Sequence, residues 1–179
     1  MGIVFTSLPI SYYLYKKYYV RENKISVKRI IIMVFLGLSV SLFYNMLTYN
    51  FQMNTNIEIN KILLFLYIGI VGPIFEEFVF RYVSLKIALK NFSVIKSVLY
   101  ISLVFSLLHS GLISMLYAFL ISILLSYVYI KYNNIKYPII IHISANIMSL
   151  CITSFNIFYL FISSLILIIL LIYIRDDHI

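Results

Sequence analysis

The sequence predicts an all-α bundle that crosses a membrane about seven times. Three observations predict it. The chain of 179 residues is 63% hydrophobic and only 11% charged, with a mean hydropathy of +1.03, whereas a soluble domain is nearer half apolar and a quarter charged. Its apolar residues fall into runs approaching the ~20 residues that cross a bilayer core. Its basic residues gather between alternate runs, as topology signals do. A soluble fold of this length has too little interior to hide so much apolar surface, so lipid must solvate most of it.

In chain order, the runs lie at about 3–19, 30–48, 62–84, 94–109, 112–131, 137–153 and 156–174. The first is short and carries Pro9. Lys16, Lys17, Arg21, Lys24, Lys28 and Arg29 separate the first two runs. Lys86, Lys90 and Lys96 separate the third and fourth, Lys131 and Lys136 the fifth and sixth, and Arg175 follows the last. The other connections hold only Lys61 with Glu58, or no base. The positive-inside rule then places the N-terminus outside and the C-terminus inside.

The formal charge of +8 would suggest nucleic acid if it formed a stripe on a polar domain. Dispersed among membrane loops it does not, so no nucleic-acid partner is expected. The start lacks a basic n-region and a small-residue cleavage site, so no removable signal peptide is read. Cys151 stands alone in an apolar run, which excludes an intrachain disulfide and reads as a small buried hydrophobe. One membrane domain, 1–179, with a chemical core at about 62–153, is the expected organisation.

Few titratable side chains remain at membrane depth: Glu76, Glu77, Arg81, His109 and His142. Each costs at least ~2.5–3.5 kcal/mol at a helix centre on insertion scales, so each is a candidate functional group. Gly72-Pro73 can open the third span just ahead of the two acids. Glu77 and Arg81 are i,i+4 with the acid N-terminal, so they pair on one face. Glu76 projects ~100° away and stays free. Phe105 and His109, and His142 and Asn146, are also spaced i,i+4, each pair on one helix face. A glutamate and two histidines from three helices can activate water, with a His/Asn pair donating to an oxyanion. Each piece also has a plain structural reading. Glu77 with Arg81 is an ordinary ion pair, a membrane histidine or a His/Asn pair can simply join helices, and Phe105 alone is core. The order of the three pieces is what is specific.

That order, E-E-x-x-x-R at Glu76 to Arg81, F-x-x-x-H at Phe105 to His109 and H-x-x-x-N at His142 to Asn146, resembles the CPBP group of intramembrane proteases, named for CAAX prenyl-protein and bacteriocin processing and also called the Abi family. The similarity covers roughly Gly72 to Leu150. It implies that Glu76 activates water with His109 as partner, that His142 and Asn146 stabilise the oxyanion, and that Glu77 holds Arg81. Glu76, His109 and His142 also have the composition of a catalytic zinc set, so zinc is the alternative to the favoured metal-free site. Metal-free chemistry is favoured because neither histidine has an evident carboxylate behind it in sequence.

The expected activity is an endopeptidase acting near the cytoplasmic face of a bacterial plasma membrane. The resemblance suggests a peptide or protein substrate such as a bacteriocin or pheromone precursor, or self-immunity. The rival readings are a non-catalytic immunity or scaffold protein, and a small transporter with a Glu/Arg/His proton relay. One tension is geometric. Counting helical rise, Glu76 lies ~22 Å from Lys61, His142 ~9 Å from Lys136 and His109 ~20 Å from Lys96, which puts His109 alone in the outer half. The catalytic reading requires the three side chains to converge within about 10 Å.

Overall fold

The computed structural model describes residues 21–49, 61–152 and 154–178, and these are all helix, turn and short connection. Helix α1 is Val27–Thr48. Helix α2, residues 61–91, is continuous but uneven: two π-helical stretches, Tyr67–Val71 and Phe78–Leu85, interrupt its α segments. Then come α3, Val94–Ser106; α4, Leu112–Tyr132; α5, Lys136–Cys151; and α6, Ile157–Asp176.

Among the described residues, three helices are long and apolar enough to cross a membrane: α1, α4 and α6. These three do not confirm the expected count of about seven, and the other runs differ in how they fall short of a single long α-helix. The run at 3–19 lies outside the described residues. The run at 94–109 stops being helical at Ser106, so α3 rises only ~20 Å. The run at 137–153 yields the 16 residues of α5, and that at 62–84 is merged into the longer, π-interrupted α2.

Helix α1 packs on α5 and α6, while α3 packs on α4. Gly37 sets the first contact. A Cβ there would collide with the Ser144 hydroxyl and the Ile141 carbonyl of α5, so the two backbones approach as only glycine allows. Leu36, Met33, Leu125 and Ile141 are buried at the centre, with Tyr132 and Tyr137 below them. Helix α6 buries only Ser163 and Ile174; its other face, from Phe158 through Ile172, is open apolar surface, as expected beside lipid. Cys151, expected to be buried, is the exposed last residue of α5.

The basic ends are tied together by polar contacts. Asn133, at φ 44, ends α4 in the left-handed conformation that Asn tolerates. Asn134 donates to Asn23 O at 2.7 Å, and Asn23 donates back to Tyr132 O at 3.0 Å. Asp177 accepts from Arg29 Nε at 2.8 Å and from the Tyr132 hydroxyl at 2.9 Å, and Lys131 donates to the carbonyls of Ile174 and Arg175. The Arg29 guanidinium holds the Asp177 carboxyl below the usual carboxylate range. A depressed folded pKa stabilises above the unfolded value of ~3.9 and is lost as pH falls through the folded value. Asp177→Asn is therefore expected to lower stability by about 1 kcal/mol at neutral pH. The difference from wild type should shrink in melts run at successively lower pH below the unfolded value of ~3.9.

Candidate functional site

The site begins at the uneven middle of α2. In the first π stretch, Gly72 N–H bonds Tyr67 O, an i to i−5 step. The next such bond would run from residue 73 to Ile68 O, but Pro73 has no N–H. Asn146 of α5 supplies it, donating from Nδ2 to Ile68 O at 2.9 Å. The last residue of the H-x-x-x-N motif thus satisfies a carbonyl orphaned by the proline, and one of its two amide N–H groups is spent there.

One turn on, Glu76 and Glu77 diverge. Glu77 is fully buried and accepts from Arg81 Nη1 at 3.0 Å through Oε1. Arg81 is also fully buried; its Nη2 donates to Ser122 Oγ at 2.8 Å and Ser122 O at 3.3 Å, and its guanidinium lies 4.8 Å from the centre of the Phe105 ring. Glu77 Oε2 and Arg81 Nε are buried without a hydrogen-bond partner, so the pair holds its charges by mutual attraction more than by full solvation. Glu76 keeps 42% of its side chain exposed.

His142 of α5 joins the two acids. Its Nδ1 is 2.8 Å from Glu77 Oε1 and its Nε2 is 3.7 Å from Glu76 Oε2. The carboxylate on Nδ1 accepts its hydrogen and so fixes the ring's tautomer, turning Nε2 toward Glu76. Glu77 is the carboxylate behind a histidine that the sequence reading did not find.

His109 corrects another expectation. It is not on the α3 face with Phe105 but in the turn after the helix end, where Gly111 takes φ 85 before α4 begins. Its Nδ1 lies 3.1 Å from Phe105 O. A carbonyl can only accept, so that bond puts the hydrogen on Nδ1 and makes Nε2 the acceptor in the neutral ring. Phe105 stands between the histidines, with ring centres 5.0 Å from His109 and 6.1 Å from His142.

Glu76, Phe105, His109, His142 and Asn146 all line one cavity of about 350 Å³. Glu77 and Arg81 lie behind it. The turn position of His109 resolves the depth tension, since the ring leaves the helix before reaching the level that continued helical rise would give it. The cavity can hold a water against a carboxylate and two imidazoles. Among the described residues, no three His, Cys, Asp or Glu side chains stand where they could hold a metal ion together, and this includes Glu76, His109 and His142, the alternative zinc set. Tyr44, Tyr117 and Ser122, which shape the cavity or hold Arg81, carry no motif that sequence reading could use.

Residues 58–148 match the model of the family described as type II CAAX prenyl endopeptidase Rce1-like. No curated protein and no solved structure matches the chain.

Proposed function

Because this chain belongs to the Rce1-like family of type II CAAX prenyl endopeptidases, we propose that it is an intramembrane endopeptidase in which Glu76 activates the hydrolytic water. The observation that carries the reading is the half-exposed Glu76 carboxylate facing Nε2 of a histidine whose other nitrogen is held by buried Glu77. Water bound between Glu76 and His109 loses a proton to Glu76 as its oxygen attacks the scissile carbonyl carbon. His142, as an imidazolium steadied by Glu77, donates Nε2–H to the oxyanion, helped by the second N–H of Asn146. The proton on Glu76 then passes to the leaving amine as the C–N bond breaks. Glu77 and Arg81 position; they do not touch the substrate. The reading needs no cofactor.

The substrate is a peptide or protein, and a secreted-peptide precursor such as a bacteriocin or pheromone fits the resemblance. The alternation of basic loops supports an orientation with the N-terminus out, the C-terminus in and cleavage near the cytoplasmic face; a bacterial plasma membrane is part of the same reading. Glu76→Gln and His109→Ala should each lower kcat/KM by about 10²–10⁴, measured by mass spectrometry on candidate precursors with purified protein. Insensitivity to a chelator supports the metal-free reaction, whereas loss on chelation with recovery on zinc replaces it with a metal-assisted one. Variants that cleave like wild type would move the protein to the immunity or scaffold class.

A further inference from the structure

A second hollow lies against the first. It is a groove of about 570 Å³ bounded by Val40, Phe43 and Leu47 of α1, Leu116 and Leu120 of α4, and Leu171 of α6. Its rim is open: Leu47 is 58%, Leu116 57% and Leu120 64% exposed, on faces that the bundle turns toward lipid. Groove and cavity share three wall residues, Tyr44, Tyr117 and Ile121. Two of these form a stacked pair, with Tyr44 and Tyr117 ring centres 3.9 Å apart and planes 20° from parallel. Helices α1 and α4 are not packed backbone against backbone. The tyrosine stack therefore bridges a gap between helices, with apolar groove on one side and the cavity of Glu76 on the other.

We propose that the groove receives an apolar segment of the peptide being cleaved, and that the Tyr44–Tyr117 stack is the partition this segment displaces to bring its bond to Glu76. The inference rests on the protease reading. Two features favour a peptide over a lipid chain. The groove is walled almost entirely by hydrocarbon, so it takes an aliphatic or aromatic flank; and the space continues into a polar cavity, which a lipid tail has no amide to fill. An extended peptide satisfies both, with side chains in the groove and a backbone carbonyl beyond the stack. A stacked ring pair adds only modestly to the burial of its two rings, so substrate binding can open it. Neither phenol need be lost from the fold when it swings aside, because the groove itself offers space for a ring.

The test reads access to the cavity without needing turnover. In full-length protein with Cys151→Ser, reconstituted in lipid vesicles, Glu76→Cys places a reporter thiol in the cavity. Three maleimides are compared: one on an eight-residue Leu/Phe peptide, one on a dodecyl chain and one on a small charged, water-soluble group. Tyr44→Ala or Tyr117→Ala should raise labelling by the peptide probe about tenfold or more, since a closed partition leaves the open state a minor population. The water-soluble probe should stay within about twofold. Tyr44→Phe and Tyr117→Phe keep the stack and should keep the slow rate; Leu120→Trp, added to Tyr44→Ala, should fill the groove and slow the peptide probe again. Equal gains for all three probes would mean general loosening, and no gain would mean the stack is not on the path; either overturns the proposal. A gain larger for the dodecyl probe than for the peptide would give the groove to a lipid chain and overturn it too. Because labelling is independent of cleavage, selective entry without proteolysis would leave the partition standing while the protease reading fell.

Discussion

Replacing Arg81 by methionine is expected to cost about 3–5 kcal/mol of folding stability, the largest loss of any single substitution outside the cavity. The side chain is fully buried, and its partner Glu77 is too. Removing the guanidinium leaves an anion with one oxygen that has no hydrogen bond and only His142 to compensate it. The Ser122 hydroxyl and the Phe105 ring lose their cationic neighbour as well. Adding Glu77→Gln to Arg81→Met removes both charges and should recover most of the stability, because a buried ion pair replaced as a unit is often nearly neutral. The double variant should still be slow. His142 Nδ1 would then donate to a neutral amide oxygen, and the imidazolium needed on the proposed path would lose its counter-charge. Thermal unfolding in detergent, set beside peptide cleavage, separates the two effects: if stability and activity recover together, Glu77 serves only the fold.

Gly37→Leu is expected to be nearly as damaging to activity, from a helix that carries no motif. The new side chain would occupy the position of the Ser144 hydroxyl and the Ile141 carbonyl. Overpacking of this kind costs about 1–3 kcal/mol. Its larger effect is on position, since α5 must move away from α1 and carries His142 with it. A displacement near 1 Å at a reacting group can cost about 10² in rate, while His142 Nδ1 sits only 2.8 Å from Glu77. Adding Ser144→Gly should not restore activity, because the Ile141 carbonyl is main chain and remains in the way. Recovery in that double variant, measured as kcat on the same peptide, would show that the hydroxyl alone was the obstacle.

What the sequence made legible, and what it hid, divides along a physical line. The family was readable from three motifs, and the Glu77–Arg81 pair from i,i+4 spacing on a helix, because both are local patterns. The partners of His142 were not readable. Glu77 and His142 are 65 positions apart, and helical periodicity says which face a residue is on but not which residue of another helix it meets. The same limit hid Gly37, Ser122 and the tyrosine stack. His109 was misplaced for the opposite reason: the apolar stretch leading up to it gave no sign that the helix ends at Ser106, since Leu107 and Leu108 suit a turn beside lipid as well as a helix within it. Apolar length likewise does not by itself fix the span count, because it cannot distinguish a helix that crosses lipid from one that is shortened or interrupted.

The brevity of α3 has a consequence for the membrane itself. Thirteen residues rise ~20 Å, about 10 Å less than an average hydrocarbon layer is thick. A helix that short meets the bilayer by drawing one leaflet inward or by pulling headgroups and flanking polar groups down to it. The C-terminal end of α3 is the one that continues into the turn bearing His109. A dimple at that end would lie beside the cavity that His109 and Glu76 line, so that hydrophobic mismatch would shorten the distance that water travels to reach Glu76. Bilayer thickness becomes a variable of the chemistry: thicker membranes would deepen the dimple at greater elastic cost, and thinner ones would flatten it.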